Sequence, residues 1–199
     1  MQCRRVLVTG CTVDVGDDAI CLKGGAGAAG LRDGPCADIL ITGNTVYHGH
    51  GGFVIGSEFS GGMERIVVQD NTFSGTDTGL RFKSGPGRGG RTSSVFIRDI
   101  RMTDIAGEAI VFETGYADRP AGRENEKAAV SGVGFLPDFR DIHISRVTCR
   151  GARTAVAARG TLRTIHDIEL TDSIFYAEQT VLLDDLAMIR MEGVRFPEP

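Results

Sequence analysis

The sequence predicts an all-β chain wound as a right-handed parallel β-helix, and three observations carry that prediction. One apolar pattern recurs from Val6, Ile39, Ile66, Val95, Ile142, Ile168 and, as a half copy, Ile189. Its period runs from roughly 21 to 47 residues, in the range of solenoid repeats once insertions are allowed for. β-Branched residues fill the copies, Gly, Asn and Asp fill the corners between them, and no stretch keeps a sustained helical periodicity.

Each copy supplies three short strands. Two residues after the first position every copy is apolar again, at Val8, Ile41, Val68, Ile97, Ile144, Leu170 and Met191. Seven residues after it the column reads Val13, Val46, Phe73, Met102, Cys149, Phe175 and Phe196. A third strand follows with apolar residues at alternate places: Ile20/Leu22, Phe53/Ile55, Leu80/Phe82, Ile110/Phe112 and Val156/Ala158. Alternation places these residues on one face, so each coil turns them inward and pairs its backbone with the coils above and below. Parallel crossovers wind right-handed. A β-propeller would need about four strands per repeat, and this pattern has about three.

Two insertions break the period, Gly24–Pro35 and Ala117–Asp138. Both leave the third strand at the same corner, so both are expected as loops walling one side of a groove. Residues 1–199 are expected to form one partial β-helix domain. The chain enters inside a repeat at Met1 and leaves after half of one at Phe196-Pro197-Glu198-Pro199, which reads as truncation at both ends.

Composition excludes several classes. The 199 residues are 41% hydrophobic, enough for a core, and the net charge of -4 disfavours a generic nucleic-acid binder. No apolar run approaches the ~20 residues of a membrane span, and Met1–Arg5 runs straight into a strand without a leader pattern. Five cysteines lack the spacing of a zinc site. Cys21 and Cys36 are near enough in sequence to pair across a loop, which the sequence leaves open. No metal and no cofactor are expected.

The chemistry concentrates at Gly16-Asp17-Asp18 and Gly49-His50-Gly51. Adjacent carboxylates repel, so one is expected to have a raised pKa beside an ionised partner, the combination glycoside hydrolysis uses. Asp17 lies eleven positions after Val6 and His50 eleven after Ile39, which stacks them in one column about 5 Å apart. One coil on, Leu80 and Phe82 point inward, so Arg81 and Lys83 point outward together. His48 lacks the matching column. Two acids, a histidine and two cations thus converge on one exterior face, and the cations suit an anionic ligand.

The ordered set Gly16–Lys23 (Gly-Asp-Asp-Ala-Ile-Cys-Leu-Lys), Gly49–Ser57 (Gly-His-Gly-Gly-Phe-Val-Ile-Gly-Ser) and Arg81-Phe82-Lys83 resembles the motifs of polygalacturonases, glycoside hydrolase family 28. The resemblance implies a single-stranded, pectin-lyase-like solenoid that hydrolyses α-1,4-galacturonan with inversion. It implies Asp17 as general acid, Asp18 as a carboxylate activating water and His50 as support for the acid. Arg81, Lys83 and, by spacing, Tyr116 would bind the uronate. The family carries a further Asp in an Asn-Thr-Asp motif about one coil upstream, which nothing here matches, so the chain alone is expected to be incomplete or impaired as a catalyst. The implied partner is polygalacturonate or a related pectic oligosaccharide, with no nucleic acid and no membrane, in a protein that is secreted or periplasmic and monomeric at full length. Alternatives are a non-catalytic pectic-oligosaccharide-binding β-helix, a calcium-dependent pectate lyase-like enzyme, and a purely structural solenoid.

Overall fold

A computed structural model describes residues 2–117 and 134–198. Coil one comprises β1 (Arg4–Thr9), β2 (Thr12–Asp14) and β3 (Asp18–Leu22); coil two comprises β4 (Cys36–Thr42), β5 (Thr45–Tyr47) and β6 (Gly51–Ser57). Coil three comprises β7 (Met63–Gln69), β8 (Thr72–Ser74) and β9 (Leu80–Ser84). Coils four and five each run as one bent strand, β10 (Thr92–Glu113) and β11 (Ile142–Arg159). Coil six holds β12 (Ile168–Thr171), β13 (Ile174–Tyr176) and β14 (Gln179–Leu183), and β15 (Ile189–Glu192) follows.

Pairing between coils is parallel throughout, in the order β1-β4-β7-β10-β11-β12-β15 along the first face, and the winding is right-handed. The register is the one the repeat dictates. Val6, Ile39, Ile66, Val95, Ile142, Ile168 and Ile189 pair in succession, and so do Val13, Val46, Phe73, Met102, Cys149 and Phe175.

The corners explain the register. The residue four places after each repeat start has positive φ in every coil: Gly10, Gly43, Asp70, Asp99, Arg146, Asp172 and Gly193. So does the residue just before each start in the first six coils, Arg5, Asp38, Arg65, Ser94, Asp141 and Asp167. Left-handed backbone costs little for Gly and is tolerated by Asp, which together fill nine of these thirteen positions; Arg5, Arg65, Ser94 and Arg146 adopt it because the stacked coils impose the same bend. Inside the first corner Asn44 and Asn71 form a ladder: the Asn71 Oδ1 accepts from the Asn44 N and Nδ2, both at 2.9 Å. These amides satisfy backbone groups that the bend takes out of the sheet.

The core is a stack rather than a ball. Phe53, Phe82 and Phe112 are fully buried in consecutive coils, with Phe82 and Phe112 face to face at 4.3 Å between centroids. Each such ring contributes on the order of 2–3 kcal/mol by leaving water.

The first insertion differs from the expected loop. It contains a helix, α1 (Gly27–Asp33), which lacks an apolar stripe and is held by its contacts. Gly30 approaches Gly25 so closely that a Cβ would overlap its backbone, and the Gly27 N–H donates to Ser60 Oγ. Of the second insertion, residues 118–133 lie outside the described residues. Its C-terminal flank stacks on the same corner, with the Gly89 and Asp138 N–H groups bonded to the Phe135 and Gly90 carbonyls.

Candidate active site on the third face

The site is built where coils one to three turn into their third strands. The His50 N–H donates to the Asp17 carbonyl (3.0 Å) and the Asp77 N–H to the Gly49 carbonyl (2.9 Å). This puts Asp17, His50 and Asp77 in one column on successive rungs. The imidazole lies between the two acids: Nδ1 is 3.3 Å from Asp17 Oδ1, and Nε2 is 3.9 Å from Asp77 Oδ2. The expected Asp17–His50 pair is therefore present in space. Asp77 was not singled out, although it lies eleven positions after Ile66 and the same count reaches it. His48 turns off at a positive-φ corner and pairs with Asp14 instead (3.0 Å).

Asp18, next along, behaves differently from its neighbour. Its side chain is 9% exposed and receives two cations from two rungs away, Lys83 Nζ at 2.7 Å and Arg81 Nη1 at 3.4 Å. Lys83 is itself buried, at 7% exposure, and Arg81 is at 20%. The reach across coil two is possible because that coil is pared down there. Gly56 sits at φ +121°, where a Cβ would run into the Lys83 carbonyl, and a Cβ on Gly51 would overlap Val54 and press on Thr78 of the next rung. The glycines around His50 thus make room for neighbouring rungs. Tyr116 closes the cluster, its ring 4.9 Å from Lys83 Nζ and 5.6 Å from the guanidinium carbons of both Arg81 and Arg88. Arg88, which the spacing did not indicate, also donates to the Tyr116 carbonyl at 3.0 Å.

The charge states depart from the crowding argument. Asp17 is held below the ordinary carboxylate range, chiefly because the Asp18 backbone N–H donates to its Oδ1 at 2.7 Å; partial burial works the other way, and His50 adds to the lowering. The expected raised carboxyl is therefore not found at Asp17, whose side chain is 86% exposed. Crowding fails because the two acids do not share an environment: one faces water and imidazole, the other a lysine and an arginine. Cys21, on the same strand, has its thiol pushed up to about 12 by burial first and the Asp18 charge second. It donates to the Gly56 carbonyl at 3.2 Å, while Cys36 donates to that of Lys23, so both are free thiols and the possible pairing between them is absent.

A parallel β-helix carrying a histidine between carboxylates beside a carboxylate between cations defines the class of molecule. The chain belongs to glycosyl hydrolases family 28, whose family model matches residues 1–162. It is 28% identical over 160 residues to an exo-poly-α-D-galacturonosidase of Dickeya chrysanthemi, covering 79% of this chain and 26% of that protein. It is 32% identical over 120 residues to a polygalacturonase of Ralstonia solanacearum, covering 58% of this chain and 21% of the relative. Among solved structures, a hyperthermoactive exopolygalacturonase from Thermotoga maritima superimposes with a TM-score of 0.77 at 29% identity, over 98% of this chain and 43% of that one. The chain thus spans about a quarter of the length of these curated relatives.

Proposed function

We propose that this chain carries the acid and uronate-binding part of a hydrolase that cleaves α-1,4-linked galacturonan with inversion. The observation that carries the reading is the joint placement of Asp17 against His50 and of Asp18 against Arg81 and Lys83 on one face of three successive coils. Asp17, exposed beside an imidazole, is placed to hand a proton to a leaving oxygen. Asp18, held between Lys83 and Arg81 one residue along from the acid, suits the water-activating role. Arg81 has five donors and makes only a long contact to Asp18, which leaves donors for a ligand carboxylate. Tyr116 walls that position. The relatives' names, a galacturonosidase and polygalacturonases, supply the substrate class. A polymeric pectic substrate of the cell wall is met outside the cytoplasm, so we assign the protein to a secreted or periplasmic setting.

The test is release of reducing ends from polygalacturonate by the chain extended upstream through a coil that carries the further Asn-Thr-Asp carboxylate, with proton NMR of the first product to show anomeric inversion. Asp17→Asn should abolish release; full turnover in that variant would overturn the assignment. A second reading, binding without turnover, is favoured by one observation, the lowered pKa of Asp17, which leaves the acid deprotonated at neutral pH. It predicts salt-sensitive calorimetric binding of oligogalacturonates without product. Unsaturated products lost on chelation would instead identify a lyase.

A further inference from the structure

The arrangement around Asp18 has a counterpart further along the same face. Glu108, on β10, lies in the Asp18 column, since Asp18 pairs with Gly51 and Glu108 with Thr154 in a third-strand register that is continuous from β3 to β11. Its side chain is 12% exposed and takes two guanidinium groups from β11, Arg159 Nη2 at 2.7 Å and Arg153 Nη2 at 4.0 Å. A half-buried carboxylate again sits between two cations, with positive charge in excess. Arg153 and Arg159 are 59% and 45% exposed, so both present donors to solvent. Arg159 stands in the column of Lys83, two rungs on, through Glu113. Two rungs are about 10 Å, further than one sugar residue extends. The Arg81 column between them continues through Val111 and Ala157, both buried and uncharged, so the exposed cations of the face are at its two ends.

We propose that Arg153 and Arg159 form a second carboxylate-binding subsite, so that the face from Asp17 to Arg159 engages an extended polyuronate through carboxylates spaced along it. The inference rests on the uronate reading of Arg81 and Lys83 and extends it along the solenoid axis. Glu113, on the intervening rung between Lys83 and Arg159, and Asp184, on the rung after Arg159, place opposing charge in that column and limit the affinity.

The test is calorimetric titration of the chain with galacturonate and with hexagalacturonate, at two salt concentrations. Arg153→Gln, which leaves the Arg159–Glu108 pair in place, should weaken hexagalacturonate by about tenfold and leave the monosaccharide unchanged. Glu113→Gln should tighten the hexamer alone. Arg81→Ala should weaken both ligands. Equal losses for monomer and hexamer in Arg153→Gln, or no loss for either, would overturn the subsite while leaving the Arg81 reading intact. Monosaccharide binding indifferent to Arg81→Ala would instead refute the uronate role of Arg81, with the Arg153 effect on the hexamer still deciding the subsite. No binding of either ligand to the native chain would sink both.

Discussion

Replacing Asp18 by alanine tests whether the cluster is held together as described. The substitution leaves Lys83, at 7% exposure, without its 2.7 Å partner. Stripping one member from a buried ion pair costs about 3–5 kcal/mol, because the remaining charge is neither solvated nor compensated. Two features of this site pull the figure to the lower end. Lys83 keeps the face of Tyr116 at 4.9 Å, and Arg81, at 20% exposure, recovers part of its hydration. We therefore expect a loss of about 3 kcal/mol, read by urea unfolding, with faster hydrogen exchange in β3, β6 and β9, since a solenoid transmits damage mainly to neighbouring coils. Adding Lys83→Met should restore most of it, because removing both charges removes the mismatch. A loss below about 1 kcal/mol, the range of an exposed pair, would refute the argument. So would a double variant no better than the single one.

Three further outcomes follow from the same geometry. Asp17 should titrate below 3.8 by carboxyl-carbon NMR, and His50→Ala should reverse only part of the lowering, since the Asp18 N–H is the larger cause. Its folded-state pKa is depressed, so any stability it contributes is present above the unfolded value and lost as pH falls through the folded one. At pH 8, Cys3 and Cys11, both exposed, should alkylate readily in the native protein, whereas Cys21 and Cys149, with thiols pushed up to about 12, should not; rapid labelling of Cys21 would contradict its burial. Asn71→Ala should cost about 2–3 kcal/mol by urea unfolding, because the Asn44 amide and the Ile41 carbonyl lose buried partners together.

The fold was open to reading because a solenoid writes its tertiary contacts as sequence spacing. Each apolar column counted along the chain is a column of paired residues in space, from Val6–Ile39 to Ile168–Ile189. The same arithmetic placed His50 over Asp17 and reaches Asp77, since these contacts run straight up the stack. It could not yield Asp18 with Lys83, a diagonal contact set by side-chain length and by missing side chains at Gly51 and Gly56. Nor could it yield α1, whose Gly-Ala-Ala-Gly run has no helical signature and is ordered by close packing against Gly25 and Ser60. The pKa of Asp17 went unread for a related reason. Adjacency in sequence suggested repulsion between the acids, but what dominates is a backbone N–H aimed at Asp17, which only the bend at the start of β3 supplies.

That backbone donor bears on how the proposed acid acquires its proton. In the uncovered face, the Asp18 N–H and His50 both favour the ionised form of Asp17. A polyuronate bound along the face as proposed would act in the opposite sense in two ways. It displaces water from a carboxyl that is 86% exposed, which disfavours charge, and it brings its own carboxylates close, which repel a second anion. Under the proposed function, binding is therefore expected to raise the pKa of Asp17, with a proton taken up as the groove fills. Arg81 and Lys83 would limit this effect, since their charge offsets that of the nearest uronate. On this reading the two acids diverge because one meets the ligand's charge unshielded and the other lies behind two cations. Proton uptake on hexagalacturonate binding, measured as buffer-dependent heat and lost in Asp17→Asn, is the expected sign; binding with no proton exchange would leave Asp17 ionised and remove it from the acid role.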